Sequence, residues 1–191
     1  MQSFYLLFES RTRFSVIFVV ILIAGLGWMA LSAAEPASTT SGRIPSPREG
    51  FLAPDFTLAT LDGEQITLSE LRGDPVVLNL WATWCPPCRA EMPALQEVYE
   101  QNRARGLKVI AVNMTFQDNA AEAEAFMRQY ALTFPVPLDM TGAVGKSYQM
   151  RALPSTFFID QDGVIQQVII GGPMAEATLQ AAVEALFEAG R

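Results

Sequence analysis

The sequence predicts an α/β domain held behind one membrane-crossing helix, and three observations carry that expectation. Residues 14–34 (FSVIFVVILIAGLGWMALSAA) contain no charged side chain. Residues 35–50 (EPASTTSGRIPSPREG) are rich in Pro, Ser, Thr and Gly and have almost no apolar content. From residue 51 onward, short apolar runs alternate with stretches of helical spacing, the pattern of strands and helices that share one core. The chain thus divides into a head (1–13), an apolar segment (14–34), a linker (35–50) and a domain (51–191).

The apolar segment has 21 residues, and about 20 cross a bilayer core as a helix. It has no polar face to turn toward water, which argues against a helix of a soluble core. A cleaved signal peptide stays open as an alternative. Arg11 and Arg13 supply its basic start, and Ser32-Ala33-Ala34 a small-residue cleavage point. The run exceeds the usual roughly 7–15 apolar residues of such peptides, which favours an uncleaved anchor. Arg11 and Arg13 lie closer to the segment than Arg43 and Arg48, so the positive-inside rule places the head in the cytoplasm. The linker cannot bury enough surface to fold, and its 16 residues reach at most about 50–60 Å when extended.

In the domain, Phe56–Leu58 and Gln65–Leu68 flank an Asp62-Gly63 turn signal and predict a hairpin. Ser69–Gly73 reads as a short helical turn closed by glycine. The mostly apolar Val76–Trp81 suits a central strand covered on both faces. A helix is expected from Pro87 or Cys88 to about Arg105, burying Leu95, Val98 and Tyr99, with Gly106 as its stop. Lys108–Asn113 reads as a second central strand, and Ala120–Tyr130 as a helix with Phe126, Met127 and Tyr130 on its apolar side. A short strand at Phe134–Leu138 and a short helix at Ala143–Tyr148 follow. Ser155–Asp160 and Val164–Ile170 form a hairpin, and Glu176–Glu188 closes the chain as an amphipathic helix. This order is that of a thioredoxin-like α/β fold with an N-terminal β-hairpin.

Residues 51–191 hold 17 acidic against 9 basic side chains and no Lys/Arg-rich run, so no footprint for nucleic acid exists. The chain has two cysteines and no histidine. That removes a Ser/Cys–His nucleophile, a four-ligand zinc site and covalent haem attachment, which needs a histidine where Arg89 stands. The two cysteines form Cys85-Pro86-Pro87-Cys88 at a strand-to-helix junction. A purely structural bridge there closes too small a loop to stabilise much. Chemistry is the better account: Cys85 lies at a helix N-terminus, where free N–H groups and the macrodipole favour the thiolate. Pro87 falls near the first turn, where a missing N–H costs nothing. Cys88 lies about one turn inside. Cys85 is therefore expected to attack a substrate disulfide, and Cys88 to resolve the mixed disulfide.

Three segments carry a family likeness: APDFTLATLDGEQITLSELRG, VVLNLWATWCPPCRAEMPAL and LPSTFFIDQDG. Together they resemble the membrane-anchored bacterial thioredoxin-like proteins of the TlpA, ResA and CcmG group, over about residues 51–191. The resemblance implies that Phe134–Tyr148 is the strand–helix insertion of that group. It implies a cis Pro154 facing the dithiol, which presents the Leu153 backbone to an extended substrate chain. It also implies that Glu91, three residues after Cys88 on the same helix face, tunes the cysteine pair and relays protons. Asn79 stands where ordinary thioredoxin has a buried acid and cannot titrate, so Glu91 is its expected substitute. Trp84, Pro86 and Leu153 are the candidate substrate contacts, and Trp81 is assigned to the scaffold.

These residues imply a thiol–disulfide oxidoreductase with no cofactor beyond the cysteine pair. Its expected partners are proteins bearing disulfides or thiols and a membrane-borne electron donor. Its expected place is the outer face of the bacterial cytoplasmic membrane, with cytochrome c maturation among the uses that the family suggests. An oxidase or isomerase would run the same chemistry in reverse. A Cu(I) metallochaperone would use both thiolates, but the further His or Met ligands such a site needs are missing, and Met92 alone does not supply them. A peroxidase of P-x-x-x-[ST]-x-x-C type is disfavoured, because Leu78 and Ala82 stand at its Pro and Ser/Thr positions.

Overall fold

Side chains alternate across a strand, so a strand buried on both faces must be apolar throughout. In the computed structural model, which describes residues 15–23 and 44–189, that strand forms where expected. The chain runs β1 (Thr57–Ala59), β2 (Gln65–Thr67), β3 (Val76–Trp81), α1 (Pro86–Asn102), β4 (Lys108–Asn113), α2 (Ala120–Gln129), α3 (Ala143–Ser147), β5 (Ser155–Ile159), β6 (Ile165–Ile170) and α4 (Glu176–Ala189). Strands β1 and β2 make an antiparallel ribbon of their own. The other four form one sheet in the order β4-β3-β5-β6, with β3 parallel to β4 and antiparallel to β5.

All six residues of β3 are buried. Val77 and Trp81 pack into one apolar layer with Met92, Leu95 and Val98 of α1, Phe126 of α2, and Leu179, Val183 and Leu186 of α4. Val76, Leu78 and Leu80 pack into the opposite layer with Ile110, Val144, Tyr148 and Phe157. Asn79 shares the parity of Val77 and Trp81, so its amide points toward α1. Thr156 is its register partner on β5. The site grows from this placement.

Helix α1 begins one residue before the expected span, at Pro86, because a proline at the first helical position gives up no intrahelical bond. It ends in a 3-10 turn, Arg103–Arg105, stopped by Gly106 at φ +99°. Tyr99 is half-buried rather than buried.

Three expectations are corrected. No strand forms over 134–138, only isolated bridges at Pro137 and Leu138. The carbonyls of Pro135 and Pro137 accept from the N–H groups of Ala111 (3.2 Å) and Asn113 (2.9 Å). The two prolines have no N–H to return, so no ladder propagates. Strand β4 is therefore the margin of the hydrogen-bonded sheet, not a second central strand. The linker, in turn, does not extend to Gly50. The Ser46 N–H donates to the Leu52 carbonyl (2.9 Å), the Gly50 N–H to the Ile165 carbonyl (2.8 Å), and Glu49 accepts from the Val168 N–H (2.9 Å). Residues 45–50 are thus tied to the domain, Glu49 and Gly50 directly to β6.

Residues 15–23 are helical, with the apolar side chains from Val16 to Ile23 exposed. Among the described residues, no helix is long and apolar enough to cross a membrane. The head (1–13), Phe14 and the rest of the expected anchor (24–34), and linker residues 35–43 lie outside the described residues.

Candidate active site

Cys85 is the N-cap of α1, and its sulfur accepts the Cys88 N–H at 3.3 Å. No acidic residue stands in the first turn of the helix, so nothing there cancels the positive end of the dipole. Cys85 and Cys88 are joined as a disulfide. The two sulfurs are not equivalent. Cys85 lines a surface groove of about 330 Å³, whereas Cys88 is wholly enclosed.

The loop that delivers Cys85 is held from below. The Asp118 carboxylate accepts from the Thr83 N–H (2.7 Å), the Thr83 hydroxyl (2.6 Å) and the Asn113 amide (2.8 Å). Burial pushes the Asp118 carboxyl up, but these bonds outweigh it and hold it below the usual carboxylate range. The Arg89 guanidinium donates to the Thr83 carbonyl (3.2 Å) and lies 5.1 Å over the Phe126 ring. Trp81 is fully buried and donates to the Ala111 carbonyl (3.2 Å), a scaffold position. Trp84 is 54% exposed, fixed by one indole bond to the Gln117 carbonyl (3.0 Å).

On the buried side of the pair, Glu91 is fully enclosed on the same face of α1 as Cys88 and Met92. The Asn79 amide donates to one of its carboxyl oxygens (2.8 Å), and the Met174 N–H to the other (3.3 Å). Asn79 also donates to the Thr156 hydroxyl (2.8 Å). Burial pushes the Glu91 carboxyl up from 4.5 to about 7, and the bonds from Asn79 and Met174, which favour the anion, only partly offset it. Asn79 is therefore more than the place of a missing acid: it is the donor that holds the substitute. Met92, considered above as a soft metal ligand, is a fully buried core residue.

The Leu153–Pro154 bond is cis, and Pro154 is buried. A Cβ added at Gly172 would lie 2.7 Å from Glu91 Oε2 and 2.8 Å from Pro154 Cγ. Gly172 is thus where the acid and the proline meet, and only glycine fits between them. Leu153, Trp84 and Pro86 line the groove with Cys85, together with Met150 and Arg151. All seven candidate residues therefore lie about one helix start, four in the groove and three beneath it. Four participants were not anticipated. Gly172 could have been found from the Gly171-Gly172-Pro173 cluster before α4. Thr156, Asp118 and Arg151 carry no comparable local signal.

The arrangement can hold a thiolate at the wall of the groove, a second cysteine behind it, and a proton on a carboxyl that titrates near neutrality. Comparison with known proteins agrees with that chemistry. The thioredoxin-like protein YneN of Bacillus subtilis is 38% identical over 156 residues, covering 81% of this chain and 87% of that one. The thiol-disulfide oxidoreductase ResA of Bacillus thuringiensis subsp. konkukian is 35% identical over 163 residues, covering 85% and 90%. Among solved structures, a secreted Mycobacterium tuberculosis disulfide oxidoreductase homologous to E. coli DsbE superposes with a TM-score of 0.63. It is 28% identical and covers 69% of this chain and 96% of that one. The profile of the AhpC/TSA family matches residues 50–168. With the fold, the cysteine pair and these relatives in agreement, the chain belongs to the AhpC/TSA family, among its thioredoxin-like thiol–disulfide oxidoreductases of the ResA type.

Proposed function

We propose that this protein reduces disulfides in partner proteins on the outer face of the bacterial cytoplasmic membrane, tethered there by residues 14–34. The Cys85 thiolate attacks one sulfur of the client disulfide. A Cys85–client bond forms, the client S–S bond breaks, and the departing client thiolate takes up a proton. Cys88, deprotonated with Glu91 as the acceptor, then attacks the Cys85 sulfur. The internal disulfide re-forms and the second client thiol is released. The client gains two electrons and two protons, which the dithiol loses. A membrane-borne donor restores the dithiol.

The observation that carries the reductive direction is Glu91. A buried carboxyl one turn from Cys88, ionised above about pH 7, opposes thiolates beside it. That destabilises the reduced, charged form and makes the dithiol a better electron donor. The opposite reading, an oxidase or isomerase, draws support from the N-cap position of Cys85, since a stabilised thiolate favours the reduced protein. Membrane tethering rests on the uncharged 21-residue run. Secreted proteins and the cysteines of apocytochrome c are the proposed clients, the latter on the strength of the group resemblance alone.

Two measurements test this. Thiol trapping in growing cells is expected to find Cys85 and Cys88 largely reduced; a fully oxidised pair would sink the reductase reading and favour the oxidase. The Cys88→Ser variant is expected to accumulate mixed disulfides on Cys85 that mass spectrometry can name. If no covalent partner accumulates, Cys85 is not the outward nucleophile.

A further inference from the structure

The surface beside Cys85 does not share the acidity of the domain. From residue 51 onward acidic side chains outnumber basic ones 17 to 9. Two grooves meet at Met150 and Arg151, their shared wall, and the first of them reaches Cys85. In the first groove, the one that holds Cys85, Arg151 is the one charged lining residue. The second runs on past Phe157, Val168 and Ile170, and its charged lining residues are Arg48 and Arg151. No carboxylate lines either groove. Glu49, next to Arg48 in sequence, is turned onto the Val168 N–H.

These two arginines also differ from most of the other cations. Arg103, Arg105, Arg128 and Lys108 each face a carboxylate, and Arg89 is bonded to the Thr83 carbonyl. Arg48 and Arg151 are exposed, and among the described residues their side chains have neither an ion pair nor a hydrogen bond. An exposed guanidinium on an apolar wall is a ready partner for a carboxylate, which it can meet with two parallel bonds.

We infer that the occupant of these joined grooves is an extended, acidic client segment. The client's reacting cysteine lies at Cys85, one carboxylate close to that cysteine meets Arg151, and a second farther along the segment meets Arg48. The inference rests on the thiol–disulfide exchange proposed above and names the client chemistry that this site selects. The net negative domain repels such a segment at long range, but that repulsion fades beyond a Debye length of about 8 Å at physiological salt, whereas contact pairs survive. The arginines therefore set register and selectivity, not the speed of approach.

Three otherwise identical peptides test it, each with one cysteine in a mixed disulfide with a chromogenic thiol, flanked by acidic, neutral amide or basic side chains. The reduced full-length protein in detergent is mixed with each, and release of the chromogenic thiolate is followed. The reaction converts protein dithiol and peptide disulfide into protein disulfide, peptide thiol and chromogenic thiol. The acidic peptide is expected to react fastest and the basic one slowest, each arginine contributing about 1.5- to 5-fold. The preference is expected to fade at about 1 M salt, where the Debye length is about 3 Å. Arg151→Glu is expected to reverse the order and Arg48→Glu to weaken it, each variant being scored against its own rate on the neutral peptide. Equal rates on all three peptides, or an acid preference that neither substitution moves, overturn the inference while leaving the exchange chemistry intact. If the neutral peptide is not cleaved by the unmodified protein, the exchange reading itself fails, and this inference with it.

Discussion

The two sides of the Cys85–Cys88 bridge are built from opposite materials. Behind it, Glu91, Asn79, Thr156 and Pro154 are enclosed, and the acid, the amide and the hydroxyl form one hydrogen-bonded chain. In front of it, Trp84, Ala152 and Arg151 are exposed around a shallow groove, and Trp84 is held by a single indole bond. A proton can be held at a chosen pKa only where water is excluded and every partner is fixed. A client chain can be admitted only where the surface is open. One short motif joins the two sides: the first cysteine, at the N-cap, lines the groove, and the second stands fully enclosed behind it.

Replacing Glu91 breaks this comparison most severely. The folded protein keeps the Glu91 proton up to about pH 7, whereas an unfolded chain releases it near 4.5. The native state therefore binds the extra proton across that window, and stability falls as pH rises through it. The loss amounts to roughly 3 kcal/mol between about pH 5 and pH 8, at 1.36 kcal/mol per unit. Urea midpoints of the disulfide form are expected to show that slope, and Glu91→Gln is expected to flatten it. The same variant should remove a rate inflection near neutrality from the exchange reaction; an unchanged pH profile would mean that Glu91 handles no proton.

Gly172→Ala tests whether the buried side tolerates any slack. The added methyl meets the Glu91 carboxyl and the Pro154 ring at distances no real contact shows. Overpacking of this kind costs about 1–3 kcal/mol, readable as a lower urea midpoint. The variant should also move the pH inflection assigned to Glu91, because the crowded oxygen, Oε2, is the one that accepts from the Met174 N–H. Loss of stability without that move would separate packing from proton chemistry.

The smallest effect is expected on the outer side, at Asp118→Ala. The Thr83 N–H, the Thr83 hydroxyl and the Asn113 amide lose their acceptor, but the site is half-exposed and water replaces part of the loss. About 1 kcal/mol of stability should go. Because the Asp118 pKa lies below its ordinary value, this contribution is present above the unfolded pKa and is lost as pH falls through the folded one. The variant should therefore show less acid sensitivity, with faster amide exchange at Thr83. Unchanged exchange there would show that Asp118 does not brace the loop.

Local pattern made much of this fold readable. Val76–Trp81 announces a doubly covered strand by its apolar run, and the helix behind the dithiol is bounded by Pro86 and Gly106. What stayed hidden depends on segments far apart in the chain. Nothing near Thr83 says that Asp118 will brace it, and nothing near Glu91 says that Gly172 must be small. Residues 134–138 look like a strand by composition, and two prolines with no N–H to offer decide otherwise. Residues 45–50 look like linker because Glu49 and Gly50 find their partners on β6, more than a hundred residues later.

Those last two segments have a joint consequence. One lies along β4 and the other along β6, the two margins of the four-stranded sheet. Exposed sheet margins are templates for unwanted chain pairing. Here each margin is partly dressed by the protein's own chain, and along β4 the cover includes residues that cannot donate in turn. At Ala111 and Asn113 on one flank, and at Ile165 and Val168 on the other, an incoming strand finds the edge already occupied.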